Sequence, residues 1–473
     1  MRALAAALLC LLTGWALVCL GWPKHTSLRE QLLLKFSLSL GCGLGIFSLI
    51  FFLNLILAGS GTVLLATDVA VAGLLSGILF FRFRGSTTGP KPIYTRKQPA
   101  RLTRILFFTL LIAFLSSMYG LVQRLLGNPH GEGWDAFAIW NLHARFLFLG
   151  RDYWKEGFTN LIPWSHPDYP LLLPASIAHF WTYLGRDSVA VPAVIALAFT
   201  ISTLAILVSA LLQFRGKDSA CLAGIVLLGT PFFLQQGVSQ YADVALSYFF
   251  LATIVLIWFH QATGSPELLA LAGSMAGFAA WTKNEGQLFA CALLVSLAAI
   301  GCGFQGFRGC VREVSLFVAG MSPSLVALAY FKIRIAPPSD LFQAGSTMLL
   351  KAADWHRYWL ILRWYGKDFF LFGDWFLIPG TVLLVAFGWL IGRQRNRQQG
   401  SATWVSALTL ALTAAGYFAI FVITPYDLRW HLRYSLNRLF LQLWPSALFV
   451  FFMLVRTPDE AISARQMAPS TSQ

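Results

Sequence analysis

Apolar runs of 18 or more residues recur along nearly the whole of this 473-residue chain, and each is long enough to cross a bilayer as a helix. Membrane strands would need barrel closure and alternating segments of about 10 residues, and no such alternation is present. The chain is 57% hydrophobic and 12% charged, whereas soluble domains run near 25% charged. The expected fold is all-α: a polytopic integral membrane protein with about 13 transmembrane helices plus interfacial helices. The spans fall at about 3–22, 37–58, 61–83, 105–126, 189–213, 219–236, 240–260, 266–282, 286–304, 313–333, 374–392, 402–424 and 438–456. Residues 1–22 have the apolar core of a signal peptide but no clear small-x-small site, so a retained first helix is expected.

The net charge of +15 would point to nucleic acid in a soluble protein. Here the basic residues sit in short loops, where they set topology, and no basic domain exists to bind nucleic acid. The seven cysteines form no CxxC pair and lie mostly in apolar runs, so they read as small buried hydrophobes rather than as a disulfide or zinc framework.

Loop charge orients the chain. Arg84, Lys91, Arg96, Lys97, Arg101 and Arg104 lie between the third and fourth spans with no acid among them, the pattern of a cytoplasmic loop. Arg393, Arg395 and Arg397, then Arg308 with Arg312, then Arg215 with Lys217 repeat it more weakly. All four clusters share one side if the short apolar stretch 169–184, broken by Pro170 and Pro174, does not cross. The polar segments 127–168, 235–243, 282–287, 335–373 and 424–437 then share the external face and suggest one cavity. Arg2 is the exception, falling outside. The expected organisation is an N-terminal three-helix membrane segment (1–84), a basic cytoplasmic loop (85–104), a main membrane domain (105–456) and a flexible C-terminal tail (457–473).

The external polar residues are the candidates for chemistry. Asp135 precedes an amphipathic stretch, AFAIWNLHARFLF, and is either an N-cap or a general base within reach of a hydroxyl. Glu132 makes a paired acid with it. Asn141 and Arg145 are four apart on one helix face, and Arg145 either holds a phosphate or snorkels. His166-Pro167-Asp168-Tyr169-Pro170 is stiffened by its prolines, which suits a positioned site or a loop that only starts the next apolar segment. Asp243 opens a span and reads as cap or as site acid. Lys283 lies in the tight connection Thr282–Gly286 and either snorkels or meets an anion. Arg429 and Arg433, in the basic external stretch that also holds His431, are four apart and suit phosphate oxygens. Asp68, inside the third span, has no assigned role.

An external acid in the first large loop, an amphipathic aromatic helix and an H-P-x-x-P element together resemble the GT-C glycosyltransferases. The stretches that carry the likeness are Trp134–Leu142 (WDAFAIWNL), His166–Pro170, Gln240–Asp243 and Thr282–Gly286, within roughly 105–456. The bacterial family 39 group, related to dolichyl-phosphate-mannose protein mannosyltransferases and to aminoarabinose transferases of lipid A, is the most similar.

The resemblance implies a GT-C-like fold in a bacterial inner membrane and an inverting transfer on the periplasmic or exterior face, from a polyprenyl-phosphate sugar to an acceptor. It makes Asp135, with Glu132, the catalytic acids. Lys283, Arg429, Arg433 and Arg145 would bind the donor phosphate; His166, Asp168, Asp243, Asn141 and His431 would position substrate. The adjacent Asp-Glu of the protein mannosyltransferases is absent, and so is a large soluble domain, which favours a lipid or glycan acceptor over protein. Metal need is open: Glu132, Asp135 and Asp243 could hold Mg²⁺ or Mn²⁺ through oxygen, or cations could replace it. Two other classes compete, a transporter or lipid-linked-sugar flippase and a non-catalytic scaffold. Transporters bury charge at mid-membrane and often show repeats, whereas charge here gathers at one face.

Overall fold

The computed structural model describes residues 2–23, 31–58, 63–83, 100–339, 346–394 and 400–461. Of the sequence expectations, most of the basic 85–104 loop, Arg395, Arg397 and the tail from 462 onward lie outside the described residues.

The described chain is helical throughout. The N-terminal helices are α1 (Arg2–Leu20), α2 (Leu32–Ala58) and α3 (Leu64–Phe83). After α4 (Ala100–Gly127) come a π-helical turn (Ala136–Trp140), α5 (Asn141–Leu149), a 3-10 helix (Arg151–Phe158) and α6 (Leu172–Leu184). Then follow α7 (Ala190–Arg215), α8 (Lys217–Leu228), α9 (Pro231–Gln236), α10 (Ala242–Thr263), α11 (Pro266–Thr282) and α12 (Asn284–Arg334). The last are α13 (Ser346–Ala353), α14 (Trp355–Leu371), α15 (Gly380–Ile391), α16 (Ser401–Ile423) and α17 (Leu428–Leu454).

Nine of these helices are long and apolar enough to cross a membrane, and the protein is a polytopic membrane protein. Two expected spans take another form. Residues 219–236 split into α8 and α9 at Gly229-Thr230-Pro231, where Pro231 takes the first helical position of α9. Residues 374–392 shorten to α15, whose twelve residues reach only about 18 Å. Residues 286–304 and 313–333 are the two arms of α12, which turns back at Gly306, whose φ of +73° is left-handed, so that Lys332 near its end reaches Asn284 at its start at 2.9 Å. In addition, the last span begins ten residues earlier than expected, at Leu428, so Arg429 to Arg438 are helical.

Burial ranks the helices from centre to rim. α10 is apolar on every side and buried along its whole span, as a central helix must be. The spans of α3 and α4 are only 17% and 11% buried and form the rim.

Polar contacts gather at two ends. At one, Arg82 meets Glu267 at 2.8 Å, Arg215 meets Glu460 at 3.1 Å and His260 meets Glu313 at 3.0 Å. At the other end lie the starts of α10, α12 and α17. Arg145 of α5 pairs with Asp187 just beyond α6 at 3.3 Å, and α7 then runs from Ala190 toward the Arg215 end. The thirteen residues of α6 extend about 20 Å, short of a hydrocarbon core of about 30 Å.

Candidate active site

The five polar segments of the sequence converge at this second end. The first loop meets the last helix through Asp135 and Arg438 (Oδ2 to Nη1, 2.7 Å). Nε of Arg438 donates to Asp243 at 2.7 Å, at the start of α10. Asp243 also accepts from Gln442 Nε2 at 2.7 Å and faces Lys283 Nζ at 3.4 Å. Lys283 in turn pairs with Glu285 at 2.7 Å. The segment before α16's end-loop joins through Lys351, which donates to the Thr424 carbonyl at 2.8 Å.

Local sequence explains this placement. Arg438 and Gln442 are four apart on α17, so both reach one neighbour. Lys283 stands in extended backbone between α11 and α12 (φ −160°, ψ 162°). The turn needs Gly286, because a Cβ there would lie 1.9 Å from the Ala279 carbonyl oxygen. Two non-glycine residues at the site hold left-handed backbone, His166 (φ +50°) and Gln240 (φ +63°), a strain found mostly where function holds it. Gln240 is fixed by donating to the Pro129 carbonyl at 3.0 Å and accepting from Asn141 Nδ2 at 2.9 Å.

An aromatic wall backs the cluster. His166 stacks on Tyr169 (4.7 Å, 9°) and Tyr169 on Trp140 (5.7 Å, 22°). Lys283 Nζ sits 5.6 Å from the Tyr169 ring, and the Arg438 guanidinium 4.6 Å from that of Tyr241, within cation–π range. Asp168 is buried, accepts from Asn284 Nδ2 at 2.8 Å and faces Lys332 at 3.5 Å.

Charge is balanced unevenly. Asp135, Asp243 and Glu285 surround Arg438 and Lys283, three carboxylates against two cations, which leaves one formal negative charge. Burial works against the Lys283 ammonium, but Asp243 and Glu285 outweigh it and hold its pKa above the usual lysine value. Burial pushes the Tyr241 hydroxyl up to about 12, with Asp135 adding to it. Burial, then Glu285, Asp168 and Asp135, also raise Tyr169 well above the ordinary tyrosine range. His143, behind the wall, is pulled down to about 3 by burial and by His166.

Beside the cluster lies a small, partly open apolar cleft. Leu173, Ile177, Ile195, Phe199 and Val244 line it, with Gln240, Tyr241 and Trp140 where it borders the charges. Trp140 Nε1, Asn141 Oδ1 and Glu285 Oε2 are buried with no hydrogen-bond partner among the described residues. Buried polar atoms are seldom left so, and of the three Trp140 borders the cleft.

The structure thus brings together Asp135, Asp243 and Lys283, with Asp168, His166 and Asn141 around them. Neither acid acts as a cap: the Asp135 side chain makes no capping bond. The remaining expected residues stand apart. Glu132 turns to Arg124 at 3.0 Å, and Arg145 to Asp187 at the surface. Arg429 and Arg433 are exposed. Arg429 precedes Arg438 by nine residues, about 180° around the helix, and so faces away from the cluster. His431 pairs with Thr424 Oγ1 at 2.8 Å. Among the described residues no three His, Cys, Asp or Glu side chains converge as metal ligands. Of the expected metal set, Glu132 is elsewhere and Asp135 and Asp243 share Arg438, so these residues do not fit a divalent cation.

Arg438, Gln442, Glu285 and Lys332 were absent from the expected site. Arg438 read as the boundary of a span. Its signal was the polar pair at i and i+4 inside an otherwise apolar helix, which is costly without a partner.

Residues 165–329 match the protein family described as dolichyl-phosphate-mannose-protein mannosyltransferase. No curated protein and no solved structure matches the chain at a significant level. The matched stretch runs from the His166–Pro170 turn through most of α12, and so carries Asp168, Asp243 and Lys283, while Asp135 and Arg438 lie on either side of it. Residues 165–329 are thus a domain of the dolichyl-phosphate-mannose-protein mannosyltransferase type, and the protein is a multi-pass membrane glycosyltransferase that draws its sugar from a lipid-phosphate donor.

Proposed function

We propose that the sugar passes to a hydroxyl of a lipid or glycan acceptor on the external face of the membrane, with inversion at the anomeric carbon and Asp135 as the base. The observation that carries this reading is the fork of Arg438 between two unlike acids. The Asp135 side chain keeps 24% of its surface exposed, whereas that of Asp243 is fully buried. Asp243 therefore holds the cations in place, and Asp135 faces an incoming acceptor.

The step balances simply. The acceptor O–H proton goes to an Asp135 oxygen. The acceptor oxygen bonds to the anomeric carbon from the face opposite the phosphate. The bond from that carbon to the phosphate oxygen breaks, and its electron pair leaves on the carrier. Positive character develops on the sugar in the transition state, and the surplus negative charge of the cluster favours it. The leaving phosphate needs cations. Arg438 and Lys283, both held by Asp243, are the cations at hand. The apolar cleft at Tyr241 and Gln240 suits the first part of the carrier chain. Trp134, Phe137 and Trp164 form an exposed aromatic cluster (5.3 and 5.8 Å between centroids) next to Asp135, which suits the apolar face of an acceptor better than a peptide strand.

The test uses purified protein in nanodiscs with a panel of labelled polyprenyl-phosphate sugars and a membrane lipid extract as acceptor. Label leaving the carrier for a product of inverted anomeric configuration supports the proposal. A product of retained configuration, or label found only on added protein, contradicts it.

A further inference from the structure

Helices α1–α3 lie outside the matched domain, yet they are pinned to it by a buried polar cluster. Asp68, in the apolar span of α3, is fully buried, and so is His179 of α6. His179 Nε2 lies 2.8 Å from Asp68 Oδ2, and the Tyr183 hydroxyl donates to the same oxygen at 2.6 Å. On its other side, Nδ1 of His179 lies 3.0 Å from the Phe47 carbonyl of α2; a carbonyl only accepts, so Nδ1 carries a proton. The imidazole stacks between Phe47 (4.3 Å, 15°) and Tyr183 (5.6 Å, 11°). One turn earlier, Ser176 donates to the Leu44 carbonyl at 3.2 Å. Nothing in the transfer step uses these groups.

Burying a carboxylate in an apolar span is costly unless it is paired. An apolar pair of similar volume would often hold two helices together as well or better, and the best-attested use of a buried polar pair is to fix register. The element whose register is fixed is α6. It begins at Leu172, directly after the turn that supplies Asp168 and Tyr169. Asp168 anchors Asn284 and Lys332, and Tyr169 lies beneath Lys283. From Leu172 to His179 is about 10 Å along the helix, so a slip at His179 is passed rigidly to those two residues.

We propose that Asp68 and His179 are positioning residues for the transfer: through this pair α2 and α3 set the register of α6, and with it Asp168, Tyr169 and the lysine above. This rests on the reading of the site given above. It assigns the first three helices a part in catalysis without contact with substrate. A misplacement of about 1 Å at a reacting centre can cost a hundredfold in rate, so a small slip is enough.

The test compares full-length wild type, Asp68→Asn, His179→Gln and the double variant in nanodiscs, reading donor KM, kcat and the binding of polyprenyl phosphate. Each single variant is expected to lose at least tenfold in kcat with donor KM within threefold of wild type. The double variant, in which an amide donates across the same gap with no charge left unpaired, is expected to recover to within threefold. Single variants with wild-type kcat, or a double variant no better than its parents, would overturn the proposal. Should Asp68→Asn not fold, Tyr183→Phe carries the test, because it removes only one donor to Asp68. A kcat drop of threefold or more supports the proposal, and an unchanged kcat overturns it. Absence of wild-type turnover with every donor would instead sink the reading of the site, which keeps the two failures apart.

Discussion

Nη1 of Arg438 lies 2.7 Å from Oδ2 of Asp135, joining the last helix to the first large loop across about 300 residues of chain. The same guanidinium is bonded to Asp243, so one side chain spaces two acids. Arginine suits this place because its planar fork presents several fixed donors, which a lysine ammonium does not.

Arg438→Gln leaves Asp135 and Asp243 without their shared cation. Removing one partner of a buried ion pair costs about 3–5 kcal/mol; with Arg438 partly exposed, the lower end is expected. Thermal unfolding in detergent reads this loss, together with a fall in kcat of at least a hundredfold. Arg438→Lys should recover stability in part and activity little, because it cannot hold both acids and a phosphate. Full activity in the lysine variant would remove the fork from the account.

Lys283→Gln is expected to raise the donor KM about tenfold, with kcat falling as well, because a charge-assisted bond to phosphate contributes about 1.5–3 kcal/mol. The contrast is Arg429→Gln, on the far face of α17, for which donor KM should stay within twofold. Equal effects from both variants would place the phosphate near the helix start.

Trp140→Phe removes a buried N–H that has no partner among the described residues. Its loss should leave the melting temperature within about 2 °C, as no protein bond is broken. Donor or acceptor KM should nevertheless rise severalfold if that N–H serves a ligand. Unchanged kinetics would assign the indole to packing alone.

His143 gives the pH dependence a sign. Its folded pKa is near 3, held down by burial and His166, against an ordinary value of 6.5. Below 6.5 the unfolded chain takes up a proton that the folded one refuses. Its contribution is therefore fully present above pH 6.5 and falls by up to about 1.4 kcal/mol per pH unit between 6.5 and about 3. Urea unfolding at pH 7, 6 and 5 should show this slope, and His143→Phe should flatten it. An identical slope in the variant would exclude His143 as its source.

The fold class was legible because lipid leaves a chain few options: long apolar runs must be helices. Convergence of the polar segments was legible too, since charge near apolar spans needs partners. Two things were hidden. A break within a span, as at Thr230, depends on backbone geometry that hydropathy averages away. The partners of each charge depend on helix rotation. Arg429 and Arg433 looked equivalent to Arg438 in composition, yet about half a turn of α17 sends Arg429 to the surface and Arg438 to the centre. Asp68 was visible as an anomaly, but its partner His179 is 111 residues away, beyond any local pattern.

The most direct test of the account is single-turnover transfer by Asp135→Asn with a donor the wild type accepts. Asparagine keeps an oxygen for Arg438 but cannot take the acceptor proton. The account predicts unchanged donor binding, an unchanged melting temperature within a few degrees, and a rate lower by a factor of about 10² to 10⁴. A rate within threefold of wild type would contradict it and move the base elsewhere in the cluster.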